Sequence, residues 1–345
     1  MKISILIKAF NEEATIVRAI ESCLSELQDI EGEVILADSC STDRTVALAS
    51  KYPIRIVQFM DPEDRGCGAG AQLAYQHAVG EYVYLLDGDM ALRAGFISRA
   101  VRYLDGNLDV TGVGGLVNEV LSPNGNMEME NRRRRESHLY RSGSVKALDC
   151  GGLYRRSSLI KLGYFADRNL HSYEELDLGA RIRSTGGKLH RLDIVGVDHF
   201  HRSIGSYKLL LKRVMSRYAN GAGELLRASI GRKHFKFVVR ELRILHVAVA
   251  IMLWVISTIL VELETDATFA TGVVFLPFLF MIFRRRSFRL GIYSVLSWFV
   301  YTAAIFRGLV APRRSPFLPI ESVVVYDRVE PVGRMSDNQM DNALA

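Results

Sequence analysis

The chain has 345 residues, 49% of them hydrophobic and 24% charged, a balance that excludes wholesale disorder and leaves room for one large domain with further segments. Its formal net charge of +6 is concentrated in short clusters, without the aromatic and basic interleaving of an RNA-binding sheet. That favours acidic lipid or phosphate and excludes nucleic acid as a partner.

The chain enters a strand pattern directly after Met1 and Lys2, so no secretory signal peptide is expected. Ile3 to Ile7 reads as a short buried strand, and Glu12 to Leu27 follows with helical spacing of Ile16, Ala19, Ile20, Cys23, Leu24 and Leu27. Glu33 to Ala37 is a second strand ending at Asp38, with Ser41 as the expected N-cap of a helix running to Lys51. Ile54 to Phe59 is a third strand, Ala69 to Val79 a helix, and Tyr82 to Leu86 a fourth strand. This alternation predicts an α/β fold with a mostly parallel central sheet. In such sheets ligands bind beyond the carboxyl ends of the strands. Three of these ends carry polar groups: Asn11 and Glu12, then Asp38, then Asp87 and Asp89.

The fourth strand finishes on Asp87-Gly88-Asp89. If the extended backbone continued through Gly88, both carboxylates would share one side and need a counter-charge. One explanation is an ordinary Asp-Gly turn; the other is a divalent cation with hard oxygen ligands, Mg2+ or Mn2+. The glycines of RGCGAG, Gly66, Gly68 and Gly70, read as a tight helix entry near a phosphate or as a flexible loop. No dinucleotide fingerprint follows the first strand and no phosphate-loop lysine motif is present. The four cysteines, Cys23, Cys40, Cys67 and Cys150, lack paired metal-ligand spacing and read as reduced thiols.

Further along, SYEELDLGARI sets Glu174, Glu175 and Asp177 at a helix start, where they serve either the helix dipole or proton abstraction. His199 and His201 stand two apart in VDHFHRS, as a surface turn or as a metal or diphosphate contact at His199. Arg213 and Arg217 share one helical face. Arg132 to Arg135 form an exposed charged helix, a mobile loop over the site, or a contact for a lipid-linked phosphate.

Ile244 to Leu263, Ala267 to Phe283 and Leu290 to Val310 are each roughly long enough to cross a hydrocarbon layer about 30 Å thick as a helix. Basic residues precede the first span and follow the second, and none lies in the link between them, which puts the N-terminal region in the cytoplasm. Full crossing by the third span would carry Arg307, Arg313 and Arg314 outward, so it is read as crossing, re-entrant or interfacial. The expected division is a cytosolic domain over 1–230, a basic juxtamembrane segment over 231–243, two to three membrane helices over 244–310 and a polar tail over 311–345.

In this order, ILIKAFNEE, LADSCSTDRT, LLDGDM, CGGLYRRSSLIKLGYF and EELDLGARIRSTGGKL resemble the motifs of the family 2 glycosyltransferases with a GT-A fold, a likeness covering roughly 1–221. Cys40 stands where that family usually has glycine. The layout is similar to bacterial succinoglycan-type glucosyltransferases. The resemblance implies inverting transfer of a sugar from a nucleotide-sugar donor, a UDP-sugar first of all, in exopolysaccharide or surface-glycan synthesis. It places the donor against Ala9, Asn11, Glu12, Asp38, Gly68, Gln72, Asp87, Gly88, Arg213 and Arg217. The metal falls to Asp89, Asp87 and His199, and the base to Glu175 or Glu174. The membrane spans suggest a lipid-linked saccharide as acceptor at the inner membrane; direct transfer to polyprenyl phosphate and a non-catalytic membrane scaffold are the alternatives.

Overall fold

The computed structural model describes residues 2–120, 141–149, 151–200, 205–264 and 267–329, with the main chain alone at 264 and 267–270. Arg132 to Arg135, Cys150 and His201 lie outside the described residues. The chain forms two compact units: a sheet unit of residues 1–169, 174–203 and 314–345, and a helical unit of residues 170–173 and 204–313.

The sheet unit contains strands β1 (Ile3–Ala9), β2 (Gly32–Asp38), β3 (Arg55–Phe59), β4 (Tyr82–Asp87), β5 (Met90–Leu92), β6 (Val110–Val120), β7 (Gly143–Val145), β8 (Gly152–Arg155), β9 (Lys188–Phe200) and β10 (Ser322–Asp327). They assemble in the order β10-β3-β2-β1-β4-β8-β6-β9-β5, with β7 beside β9. The sheet is mixed rather than mostly parallel: β1 to β4 pair in parallel, as do β6 and β9, and the remaining pairings are antiparallel.

Helices α1 (Ile16–Glu26), α2 (Thr45–Ala49), α3 (Cys67–Gln76), α4 (Phe96–Gly106), α5 (Arg156–Leu162) and α6 (Glu174–Ser184) accompany the strands. Alternate residues of β1 supply the two cores. Ile3, Ile5 and Ile7 pack with Ile16 and Ile20 of α1 and Phe96 and Leu104 of α4, whereas Leu6 joins Leu73 of α3, Leu159 of α5 and Leu178 of α6. Each such buried aliphatic side chain stabilises the fold by about 2 kcal/mol.

The first helix begins at Ile16 rather than Glu12 because the loop after β2 binds the preceding backbone. The N–H groups of Asn11, Glu12 and Glu13 donate to Ser41 Oγ at 2.9 Å, Thr45 Oγ1 at 2.8 Å and Asp43 Oδ2 at 3.1 Å. Ser41 therefore serves the first loop and is not the N-cap of α2; the Thr45 N–H donates to Asp43 Oδ1 instead, at 2.9 Å. The segment read as a polar tail returns to the sheet, where Ser322–Asp327 pairs antiparallel with β3.

The helical unit comprises α7 (Ser206–Met215), α8 (Gly221–Ser229), α9 (Phe235–Glu241), α10 (Arg243–Glu264), α11 (Ala267–Arg285) and α12 (Phe288–Val310). Arg243–Leu263 and Phe288–Val310 are long and apolar enough to cross a membrane, and α11 contains Pro277. Small residues let α12 approach α8: a Cβ at Gly308 would collide with the Asn220 carbonyl, and one at Gly223 with the Ile305 carbonyl. Ser294 and Thr302 of α12 bond within their own helix, to the Leu290 and Trp298 carbonyls, each at 2.8 Å.

Candidate active site

β1 has β2 on one side and β4 on the other, so the chain's winding reverses between β1 and β4, the place where open α/β sheets form a crevice. Lys8 and Asp87 are register partners at the carboxyl ends of these two strands. The Lys8 ammonium lies 3.1 Å from Asp87 Oδ1, 2.5 Å from Glu174 Oε1 and 3.6 Å from Glu175 Oε1. Three carboxylates from β4 and the first turn of α6 thus surround one largely buried cation. Burial works against the Lys8 charge, yet Asp87, Glu174 and Glu175 together raise its pKa well above the ordinary lysine value. Burial, then Glu174, push the Glu175 carboxyl up to about 8, with Lys8 opposing. Asp87 is also raised, first by burial, while Lys8 pulls it down and Asp89 and Glu174 push it up. Asp177 takes another part: its Oδ2 accepts from Arg181 Nε at 2.7 Å, and Arg181 donates onward to the Tyr164 and Phe165 carbonyls at 2.8 Å and 2.6 Å.

The extended backbone stops at Asp87, and Gly88 and Asp89 form a turn before β5, so the two carboxylates diverge to different partners. Register sets His199 of β9 opposite Met90 of β5 and Glu119 of β6. His199 Nε2 is 3.4 Å from Asp89 Oδ2, and its Nδ1 is 3.2 Å from Glu119 Oε2. Burial opposes protonation of this ring, but hydrogen bonds to Asp89 and Glu119 raise its pKa to about 10. Among the described residues no three acidic, histidine or cysteine side chains converge as a complete cation cage. Asp89 and His199 supply one carboxylate and one imidazole, a partial donor set that oxygen atoms of a bound diphosphate can complete. Glu119 stands behind the ring, in the place from which a carboxylate would orient the imidazole toward a cation.

On the other side of Lys8, Asn11 and Cys40 both adopt left-handed backbone, with φ of 56° and 59°. Glycine suits such a conformation best, which accounts for the residue type usual at position 40 in the resembled motif. The Asn11 side chain accepts from Thr42 N–H at 2.8 Å, closing the two loops together. Asp38 is fully buried; its Oδ2 accepts from Ser41 N–H at 2.9 Å and Gln58 Nε2 at 2.7 Å. Its Oδ1 has no hydrogen-bond partner among the described residues, an acceptor suited to a ligand N–H. Gly88 lies against Ala9 and Glu12, where a Cβ would come within 3.0 Å and 3.1 Å of their side chains. Gly68 is buried in the first turn of α3, and Gly70 packs beside Lys8 Cβ and Ser39 Oγ.

Gln72 differs from the sequence expectation: its Oε1 accepts from the Phe165 and Ala166 N–H groups at 2.9 Å and 3.1 Å, so it holds a buried chain segment. Arg213 and Arg217 belong to the helical unit. Sequence reasoning missed Lys8 and Glu119. A lysine closing a buried apolar strand was a visible signal for the first; nothing in the sequence links Glu119 to His199, 80 positions away.

Residues 4–163 match the family described as Glycosyl transferase family 2. They are a family 2 glycosyl transferase domain. The transferase domain is similar to the succinoglycan biosynthesis protein ExoO of Rhizobium meliloti, 31% identical over 124 residues, covering 33% of this chain and 35% of that protein. It is similar also to the poly(ribitol-phosphate) beta-N-acetylglucosaminyltransferase TarS of Staphylococcus aureus, 28% identical over 109 residues, covering 30% of this chain and 19% of that protein. The alignments thus span about a third or less of these relatives. The mannosyltransferase PcManGT of Pyrobaculum calidifontis, solved with GDP-Man and Mn2+, shares the fold with a TM-score of 0.60 and 17% identity, over 89% of this chain and 87% of that one.

Proposed function

We propose that the chain is a metal-dependent, inverting glycosyltransferase that moves a sugar from a nucleotide-diphosphate donor, a UDP-sugar first of all, to a hydroxyl of a lipid-linked saccharide during surface-polysaccharide synthesis. The observation that carries the reading is the gathering of Asp87, Glu174 and Glu175 around Lys8 at the β1–β4 crevice, beside the Asp89–His199 pair. The transferase domain and the succinoglycan relative support the class of reaction.

Glu174, ion-paired to Lys8, fixes the first turn of α6. Glu175, held less closely, takes the acceptor proton. The acceptor oxygen bonds to the anomeric carbon as the bond from that carbon to the phosphate oxygen breaks, and the nucleoside diphosphate leaves. Asp38 Oδ1 receives an N–H of the donor base, and the left-handed turns at Asn11 and Cys40 shape the groove for it. Asp89 and His199 would hold Mg2+ or Mn2+, which supplies electrostatic stabilisation of the charge on the departing diphosphate.

A membrane setting is supported by the outward face of α10, where Leu253, Ile259, Leu260 and Leu263 are each more than half exposed. Chain connectivity supports a particular threading. The chain leaves the sheet at β9 and rejoins it at β10, so the helices between cross a bilayer an even number of times. Helices α10 and α11 fit the two crossings, with Arg284 and Arg285 at the return. Helix α12 then lies along the cytosolic surface.

Calorimetry of nucleoside diphosphate binding tests the metal assignment. Asp89→Ala should lose the Mn2+-dependent part of the binding while keeping the thermal stability of the parent. Unchanged Mn2+-dependent affinity would remove Asp89 from the site.

A further inference from the structure

Within the helical unit, Tyr173, Arg213, Tyr218, Ile244, Tyr301 and Ile305 line a cavity of about 320 Å³. Among the described residues its one lining charge is Arg213, on α7. The guanidinium donates to Tyr301 Oη at 3.1 Å and lies over the Tyr218 ring, 5.3 Å from its centroid. No carboxylate of the described residues lies within salt-bridge distance of Arg213. A guanidinium has five N–H donors; the Tyr301 bond uses one, and the tyrosines hold the group in place without neutralising it. The walls are apolar at Ile244 and Ile305. Ile244 belongs to the first turn of α10, the helix long and apolar enough to cross a membrane, so the cavity sits at the basic end of that helix, beside Arg243.

Tyr173 has left-handed backbone, φ 68°, an uncommon conformation for an aromatic residue that persists only where its surroundings impose it. A fixed, unneutralised guanidinium with hydrogen-bonding tyrosines selects an oxyanion, phosphate above all, because a planar fork of donors matches its oxygens. Apolar walls beside that cation select an anion carried on hydrocarbon.

We propose that this cavity binds the phosphate of the lipid-linked acceptor, Arg213 pairing with its oxygens, Tyr301 donating a further hydrogen bond, and Ile244 and Ile305 covering the first carbons of the lipid. The proposal rests on the acceptor reading given above. It assigns Arg213 to the acceptor, whereas the sequence resemblance assigns it to the donor.

The test uses the full chain in nanodiscs, with farnesyl phosphate, farnesol and inorganic phosphate as probes, and UDP with Mn2+ as a separate ligand. Farnesyl phosphate should bind at least tenfold more tightly than either farnesol or inorganic phosphate. Arg213→Ala should weaken farnesyl phosphate at least tenfold, Tyr301→Phe severalfold, and Arg213→Lys less than Arg213→Ala, with UDP affinity kept in all three. If the parent chain binds no farnesyl phosphate, the acceptor reading itself falls. If it binds but Arg213→Ala and Tyr301→Phe bind equally well, the cavity assignment falls and the acceptor reading stands. Inorganic phosphate binding as tightly as the ester would overturn the lipid source, and loss of UDP binding in Arg213→Ala would return the arginine to the donor.

Discussion

Lys8 determines how the carboxylates of the crevice divide their work. Its ammonium is closest to Glu174 and farther from Glu175, so one glutamate is tied up in the ion pair while the other keeps a pKa pushed up to about 8. A carboxyl with a raised pKa is protonated below that value, and only its ionised form takes a proton. Turnover at saturating donor should therefore rise with pH through about 8 and level off above it; a limb near 4 to 5, the ordinary carboxylate range, would exclude Glu175. Glu175→Gln should lower turnover by about 10²-fold or more with donor affinity retained. Lys8→Met removes the cation that lowers the Glu175 pKa, so the limb should move to higher pH. Leaving the buried Glu174 uncompensated should also cost about 3 kcal/mol of stability, measured by chemical denaturation. The paired aspartates of LLDGDM were legible in sequence, and so was their need for a counter-charge. That a strand lysine supplies it was not, because a single lysine in β1 gives no indication of which strand lies alongside.

At the scale of elements, the functional pairings depend on strand register. β9 lies between β6 and β5, and this alone brings His199 between Glu119 and Asp89. Glu119→Gln should weaken Mn2+ affinity by about tenfold, the usual consequence of disturbing a carboxylate behind a ligating imidazole, while leaving the nucleotide's metal-free affinity unchanged. Unaltered Mn2+ titration would show that Glu119 only packs. The β-α alternation from Ile3 to Leu86 was legible because apolar runs and helical spacing follow one another without interruption. Element starts were less so: α1 is delayed to Ile16 by hydrogen bonds from Ser41, Thr45 and Asp43, residues about 30 positions away whose approach no local pattern encodes. The mixed half of the sheet was illegible for a similar reason, since β6, β8 and β9 are assembled by long-range pairing.

For the whole molecule, the return of the chain to β3 limits the ways the apolar helices can thread a bilayer. In the proposed threading, two crossings by α10 and α11 would place Leu263 on the far side and Ser287 and Pro312 on the cytosolic side. Cysteines introduced at these three positions should divide accordingly: Leu263→Cys reacts with an impermeant thiol reagent on intact cells, and Ser287→Cys and Pro312→Cys only after permeabilisation. Labelling of Pro312→Cys from outside would refute the threading. SVVVYD was read as part of a polar tail although its β-branched run carried a strand signal, and its position after three apolar segments concealed its destination.

The last strand also fixes an order of events during biogenesis. β3 is translated more than 250 residues before the partner that covers its free edge, so the nascent transferase domain carries an uncapped rim throughout synthesis of the intervening helices. Such a rim is a template for association with other chains. Ribosomes stalled before Ser322 should leave a product prone to aggregate, and completing the chain becomes the step that seals the domain.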